Sequence, residues 1–322
     1  MNFNKAQSNT KNKKINFPRG GLKKKETDMA LEIQSQNVAL NSGTTQFNFS
    51  DTVTQYLAGV ASFQLSYGSE DHHVEEMSIQ LQTNKPFSTQ VTVEAIVILQ
   101  DADGHGIDTG ASYVTVTVIA WTGAVNQGVL LSPSFTVADH SQSPAITLPG
   151  MTDPVLQSVL GGFYLSFGSA DHHIARVEAS VGVQQSQNIA YISATADMND
   201  ASGNHAIDPT ANGALIAASV IDAGFVVGSY QGQSENQSTA IPMGATITAA
   251  VSFLTGFQVQ YPDSEDHHVR TIGAGPNKTG VDPNDHTKAQ TNGVWAWMFD
   301  ASGNQQDNNN SYASIVAVGI TG

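Results

Sequence analysis

The sequence predicts an all-β protein: three tandem β-sandwich-like repeats of ~95–100 residues after a disordered basic N-terminal leader. Three observations carry that expectation. One phrase, an alternating aromatic and aliphatic run that ends in Asp-His-His-Val/Ile, occurs at 63–74, 163–174 and 257–269. A second signal, a β-rich run closed by Asp-Ala-Asp/Ser-Gly, turns at Asp101, Asp200 and Asp300. The first recurs after 100 and then 95 residues, the second after 99 and then 100, and two signals with one period mark tandem units. Composition agrees. Charged residues are only 13%, and Gln, Asn, Ser, Thr, Gly, Ala and Val dominate, which suits a β-rich globular chain rather than a disordered or membrane one.

The leader is read as residues 1–45. Eight of the 13 basic residues fall in the first 25 positions, where there is no acid, so the rest of the chain holds 28 acids against five bases, a net −23. Such a body repels phosphate backbones and anionic lipid, which argues against nucleic acid as its partner. No apolar run approaches the roughly 18 residues of a membrane helix, so membrane insertion is not expected. The leader reads as a solvated tail, with contact to another subunit's acidic body as the alternative, and Met29 is a second candidate start. No apolar core precedes a cleavage site, so no secretory signal is read and the location stays open, with an extracellular or particle-borne place compatible. Without cysteine, disulfides and thiolate zinc sites are excluded.

Repeat 1 is placed at 46–130, repeat 2 at 131–228 and repeat 3 at 229–322. Ahead of the phrase, 51–59 resembles 153–161, where Asp153, Pro154 and the pair Gly161-Gly162 suit a short helical turn or a strand. Phe63, Leu65 and Tyr67 alternate as in a half-buried strand. Val74–Leu81 alternates again, so the two flank Asp-His-His as an expected hairpin. The second signal reads as strand, Gly-containing turn and closing strand, for which 112–120 and 311–318 serve in repeats 1 and 3. The Gly/Ser/Gln/Pro-rich connectors near 123–150 and 224–244 are long enough to hold an extra strand.

The sharpest candidate site is the triplet: Asp71, His72 and His73; Asp171, His172 and His173; Asp266, His267 and His268. Adjacent residues of a strand face opposite ways, so one histidine of each pair at most faces a given partner. Three repeats around an axis could each present one imidazole, and an aspartate beside it fixes the tautomer of a zinc ligand. The plainer reading is a turn cap plus a packed, hydrogen-bonded histidine. Direct ligand contact is the third. Asp101, Asp103 and Asp108 offer oxygen ligands at spacings loosely like a calcium loop, but Ser202 and Ser302 replace the middle aspartate, so a structural turn is the simpler account. A divalent metal, zinc or calcium, is therefore the one cofactor the sequence suggests. Trp121, Trp295 and Trp297 would stack on sugar rings if exposed, and would be core otherwise.

Asp-His-His also names a family of metal-dependent phosphoesterases, but those are α/β enzymes with further metal motifs that this chain lacks. No nucleophile elbow, phosphate loop or His-Glu-x-x-His helix is present. The run 162–174, followed by alternating Val177, Ala179 and Val181, resembles the last hairpin of H-type lectin domains, and that resemblance implies small β-sandwiches that bind sugars and form trimers. The expected function is that of a non-catalytic repetitive β-protein: an adhesive, lectin-like or structural component of an extracellular, phage or injection-system assembly. Its partners would be copies of itself, other subunits or glycans. A metal-dependent enzyme built on Asp-His-His and a self-assembling shell or filament subunit are the alternatives.

Overall fold

The computed structural model describes residues 30–124, 128–151, 153–219, 224–233, 237–262 and 265–322, and the basic stretch at the start of the leader lies outside them. All the named elements are strands. The first group is β1 (Ala30–Asn37), β2 (Thr45–Asn48), β3 (Val53–Ser66), β4 (Glu76–Phe87), β5 (Gln90–Gln100) and β6 (Tyr113–Thr122). The second is β7 (Val129–Leu131), β8 (Phe135–Ala138), β9 (Ile146–Thr147), β10 (Pro154–Ser166), β11 (Arg176–Ser186), β12 (Ile189–Asn199) and β13 (Thr210–Ser219). The third is β14 (Phe225–Gln233), β15 (Gln237–Pro242), β16 (Ile247–Gln260), β17 (Thr271–Pro276), β18 (Thr279–Val281), β19 (Lys288–Phe299) and β20 (Tyr312–Thr321). Among the described residues no helix is long and apolar enough to cross a membrane.

The strands form three antiparallel sheets, ordered β1-β6-β3-β17-β19-β15, β2-β5-β4-β10-β13-β7 and β14-β20-β16-β11-β12-β9. One wiring rule generates all three. Within each group an early connector strand pairs with the last strand, a second connector strand pairs with the third long strand, and the four long strands split between two sheets. Each half-sheet then continues into a neighbouring group, where β3 meets β17, β10 meets β4 and β16 meets β11. Three two-layered units close into a ring this way, and every inner edge is paired rather than left open to other chains. The connectors do supply the extra strands expected of them. β1 lies inside the stretch assigned to the leader, where Leu31 is buried against β6.

The hairpin expected across Asp-His-His does not form. β3 and β4 lie in different sheets, and the triplet is the crossing between them. The second signal is likewise a crossing, from β5 to β6, with a local bridge such as Gln100 to Gly106 in place of a hairpin ladder. The true hairpin joins β4 to β5, with Phe87 opposite Gln90 at its tip. Of the two readings left open at 153–161, helical turn or strand, the strand is the one that forms. Pro154 opens β10, where a missing N–H costs nothing, and the Gly161-Gly162 pair is a β-bulge rather than a helix cap. Gly162 has φ of 144°, and a Cβ there would sit 2.0 Å from the Ile79 carbonyl oxygen, so the close pass of β10 over β4 requires glycine. Bulges fall at the corresponding places in β3 and β16, between Val60 and Ser62 and between Leu254 and Gly256.

The core runs along the ring's axis. Phe63, Phe163 and Phe257, all buried, meet with ring centroids 5.0 to 5.6 Å apart in tilted and edge-on contacts. Four residues earlier on the same strands the axis is filled asymmetrically by Gly59, Val159 and Phe253. A Cβ on Gly59 would lie 2.2 Å from Val159 Cγ1 and 2.8 Å from Phe253 Cδ1. A large, a medium and no side chain share one central space, a division that only non-identical repeats allow.

Candidate functional site

The three crossings hydrogen-bond to one another as a closed ring of backbone. His72 and Val269 exchange N–H···O bonds of 3.1 and 2.9 Å, Val74 and His172 bonds of 3.0 and 3.1 Å, and Ile174 and His267 bonds of 2.9 and 3.1 Å. Val74, Ile174 and Val269 are fully buried, which explains the Val/Ile that ends each phrase. As the alternation of an extended chain requires, the two histidines of each triplet then go different ways.

The first histidines turn outward to the second signal. His72 Nδ1 lies 3.0 Å from Asp101 Oδ2, His172 Nδ1 3.0 Å from Asp200 Oδ2 and His267 Nδ1 3.7 Å from Asp300 Oδ2. Each packs on the aromatic ring that closes its own β3-type strand, Tyr67, Phe167 or Tyr261. Asp101, Asp200 and Asp300 are buried, and the Oδ1 of each accepts the N–H of His105, Asn204 or Asn304 at 2.8 Å, which closes the turn. The turn needs positive φ at its glycine, and Gly104, Gly203 and Gly303 have it. Burial raises the carboxyls of Asp101 and Asp200, but bonds from His105 and Asn204 outweigh it and hold both below the usual range.

The second histidines converge on the axis. His73, His173 and His268 have ring centroids 4.5 to 4.7 Å apart, and one nitrogen from each lies within 4.8 Å of the others. Each Nδ1 faces the aspartate of the next repeat: His73 to Asp171 at 3.6 Å, His173 to Asp266 at 3.4 Å and His268 to Asp71 at 3.5 Å. The other oxygen of each aspartate accepts a backbone N–H from the turn of the repeat before it, Ala102 to Asp171, Ala201 to Asp266 and Ala301 to Asp71. For Asp71 burial raises the carboxyl, and the Ala301 N–H with His268 lowers it further, to below its ordinary value. Tyr67 and Tyr261 donate to the backbone oxygens of His73 and His268, and burial foremost, then nearby carboxylates, raises both phenols.

The aspartates and histidines of the triplets are therefore brought together, and Asp101 joins them. Asp103 and Asp108 are not in that set. Asp103 is exposed, and Asp108 Oδ1 accepts the Gly110 N–H in a turn of its own. Among the described residues the two groups with metal-ligand geometry are His73/His173/His268 and His72/Asp101/His105. Sequence reading passed over His105, whose signal was its place where the other repeats carry Asn204 and Asn304. The tryptophans are not platforms: Trp121 and Trp295 are buried, and half-buried Trp297 stacks on Trp295 with centroids 4.3 Å apart. Among the described residues the large aromatic that stands exposed is Phe87, 67% accessible at the β4–β5 tip. No family model, curated protein or solved structure matches the chain.

Proposed function

We propose that the chain is a non-catalytic β-module that works by presenting surfaces: an adhesive, lectin-like or structural component of an extracellular, phage or injection-system type of assembly. The observation that supports this reading above others is how the repeated polar residues are used. In all three repeats the triplet aspartate and the first histidine join one repeat to the next or close a turn. An evolved active site would single out one repeat, and this set does not.

The ligand-facing surface is then the exterior of the strands, away from the axis. Phe87 stands exposed at the β4–β5 tip, and Ile207 stands exposed beside the turn at Gly168. An open depression of about 580 Å³ sets Asp153, Gln185, Gln187 and Asn188 beside Leu148, Met151 and Pro154. Carboxylate and amide groups beside apolar carbons suit sugar hydroxyls and ring faces, and individually weak sites on a shared body gain by avidity. The partners are glycans or other subunits of the assembly.

The test is retention of the full chain on immobilised glycans and on fractionated particle or cell-surface material. Saturable retention with the ligand recovered unchanged is the expected result. Blank results on both surfaces, or release of a chemically altered ligand, would contradict the reading.

A further inference from the structure

We infer that His73, His173 and His268 bind one divalent transition-metal ion of the zinc class on the axis, as a clasp across the three repeats. The donor set is three imidazoles, one per repeat. Each Nδ1 faces a carboxylate at 3.4 to 3.6 Å, the arrangement in which a metal-ligating histidine keeps its proton on the carboxylate side and offers Nε2 to the metal. An all-nitrogen set suits zinc, cobalt or nickel and excludes calcium, which takes oxygen.

The size is close to that of a closed site. One nitrogen from each ring lies within 4.8 Å of the other two, which puts them at most about 2.8 Å from their centre, so a zinc–imidazole bond of about 2.0–2.1 Å asks each ring to move inward by about 0.7 Å at most. The three side chains are 40 to 42% exposed, so an ion can enter from solvent and keep water as its remaining ligand. Asp71, Asp171 and Asp266 surround it with three negative charges, each anchored by a backbone N–H and unable to drift away.

The outer group His72/Asp101/His105 does not compete. Both its histidines direct Nδ1 at one oxygen, Asp101 Oδ2, at 3.0 and 2.6 Å, and the other repeats place asparagine where His105 stands. That group is a turn clamp.

The experiment titrates the full, chelator-stripped chain with Zn²⁺ and Co²⁺. One equivalent per chain, a visible Co²⁺ absorption band and a higher thermal midpoint with Zn²⁺ are expected. His173→Asn keeps an N–H toward Asp266 but puts no nitrogen on the axis, and should weaken binding at least 100-fold, whereas His105→Asn should leave it intact. Asp171→Asn should keep the stoichiometry and lower affinity by about 10- to 100-fold. On the wild-type chain, Co²⁺ should shift the imidazole NMR signals of the three axial histidines, a readout that survives even if a variant fails to fold. Absence of saturable Zn²⁺ binding, binding unaltered in His173→Asn, or cobalt shifts confined to His72 and His105 would each overturn the inference.

Discussion

Two histidines stand side by side in each triplet, and the fold uses them in opposite ways. The outer three, His72, His172 and His267, are held by an aspartate of their own repeat and serve a turn. The inner three, His73, His173 and His268, are held by an aspartate of the next repeat and serve the ring. The difference comes from the backbone. An extended crossing sends neighbours to opposite faces, and the crossing runs along the line where the three repeats meet. Residue type alone says little about role; the face on which a residue lands decides it.

The comparison can be broken most severely at the axis. Phe163→Ala removes one of three mutually packed rings and should cost ~3–5 kcal/mol in denaturant unfolding, while Phe87→Ala, at an exposed tip, should stay within about 0.5 kcal/mol. Gly59→Val should cost ~1–3 kcal/mol by overpacking Val159 and Phe253, and pairing it with Val159→Gly should cost less than the two changes summed. Asp171→Ala removes both the His73 contact and the Ala102 N–H acceptor, for a loss of ~1–3 kcal/mol; Asp103→Ala, exposed on the same turn, should be near neutral.

The smallest expected effect is a slope. Asp71, Asp101 and Asp200 have carboxyls held below the ordinary 3.8, so the folded chain binds their protons more weakly than the unfolded one. Their stabilisation is complete above that ordinary value and is lost as pH falls through the lower folded values. The urea midpoint should therefore fall as pH is lowered from about 5 to 2, more steeply for the wild type than for Asp200→Asn.

Much of this was legible. The period located every β3-type strand and every turn, because one wiring rule repeated three times leaves one spacing. The opposite facing of His72 and His73 followed from extended-chain geometry, and the possibility of three imidazoles on an axis from that geometry together with the threefold repeat. What stayed hidden was which strands pair. A period is the same whether β4 bonds to β3 or crosses to β10, so the hairpin reading failed where the chain changes sheets. Pro154 and Gly161-Gly162 carry helix-end chemistry that also fits the start of a strand and a bulge, and only the carbonyl of Ile79 across the sheet decides between them. For the tryptophans the sequence left core and platform open, because what covers them is remote: Trp295 and Trp297 face Gly273 on β17, a neighbour 22 or more positions away in sequence.

The most direct test of ring closure is native-state hydrogen exchange at the six amides that link the crossings, those of His72, Val74, His172, Ile174, His267 and Val269. All six should exchange only through global unfolding, together with the core of β3, β10 and β16. Exchange of these amides as fast as that of the exposed turn glycines Gly104 and Gly203 would mean that the repeats are not joined at the axis, and the account would fall.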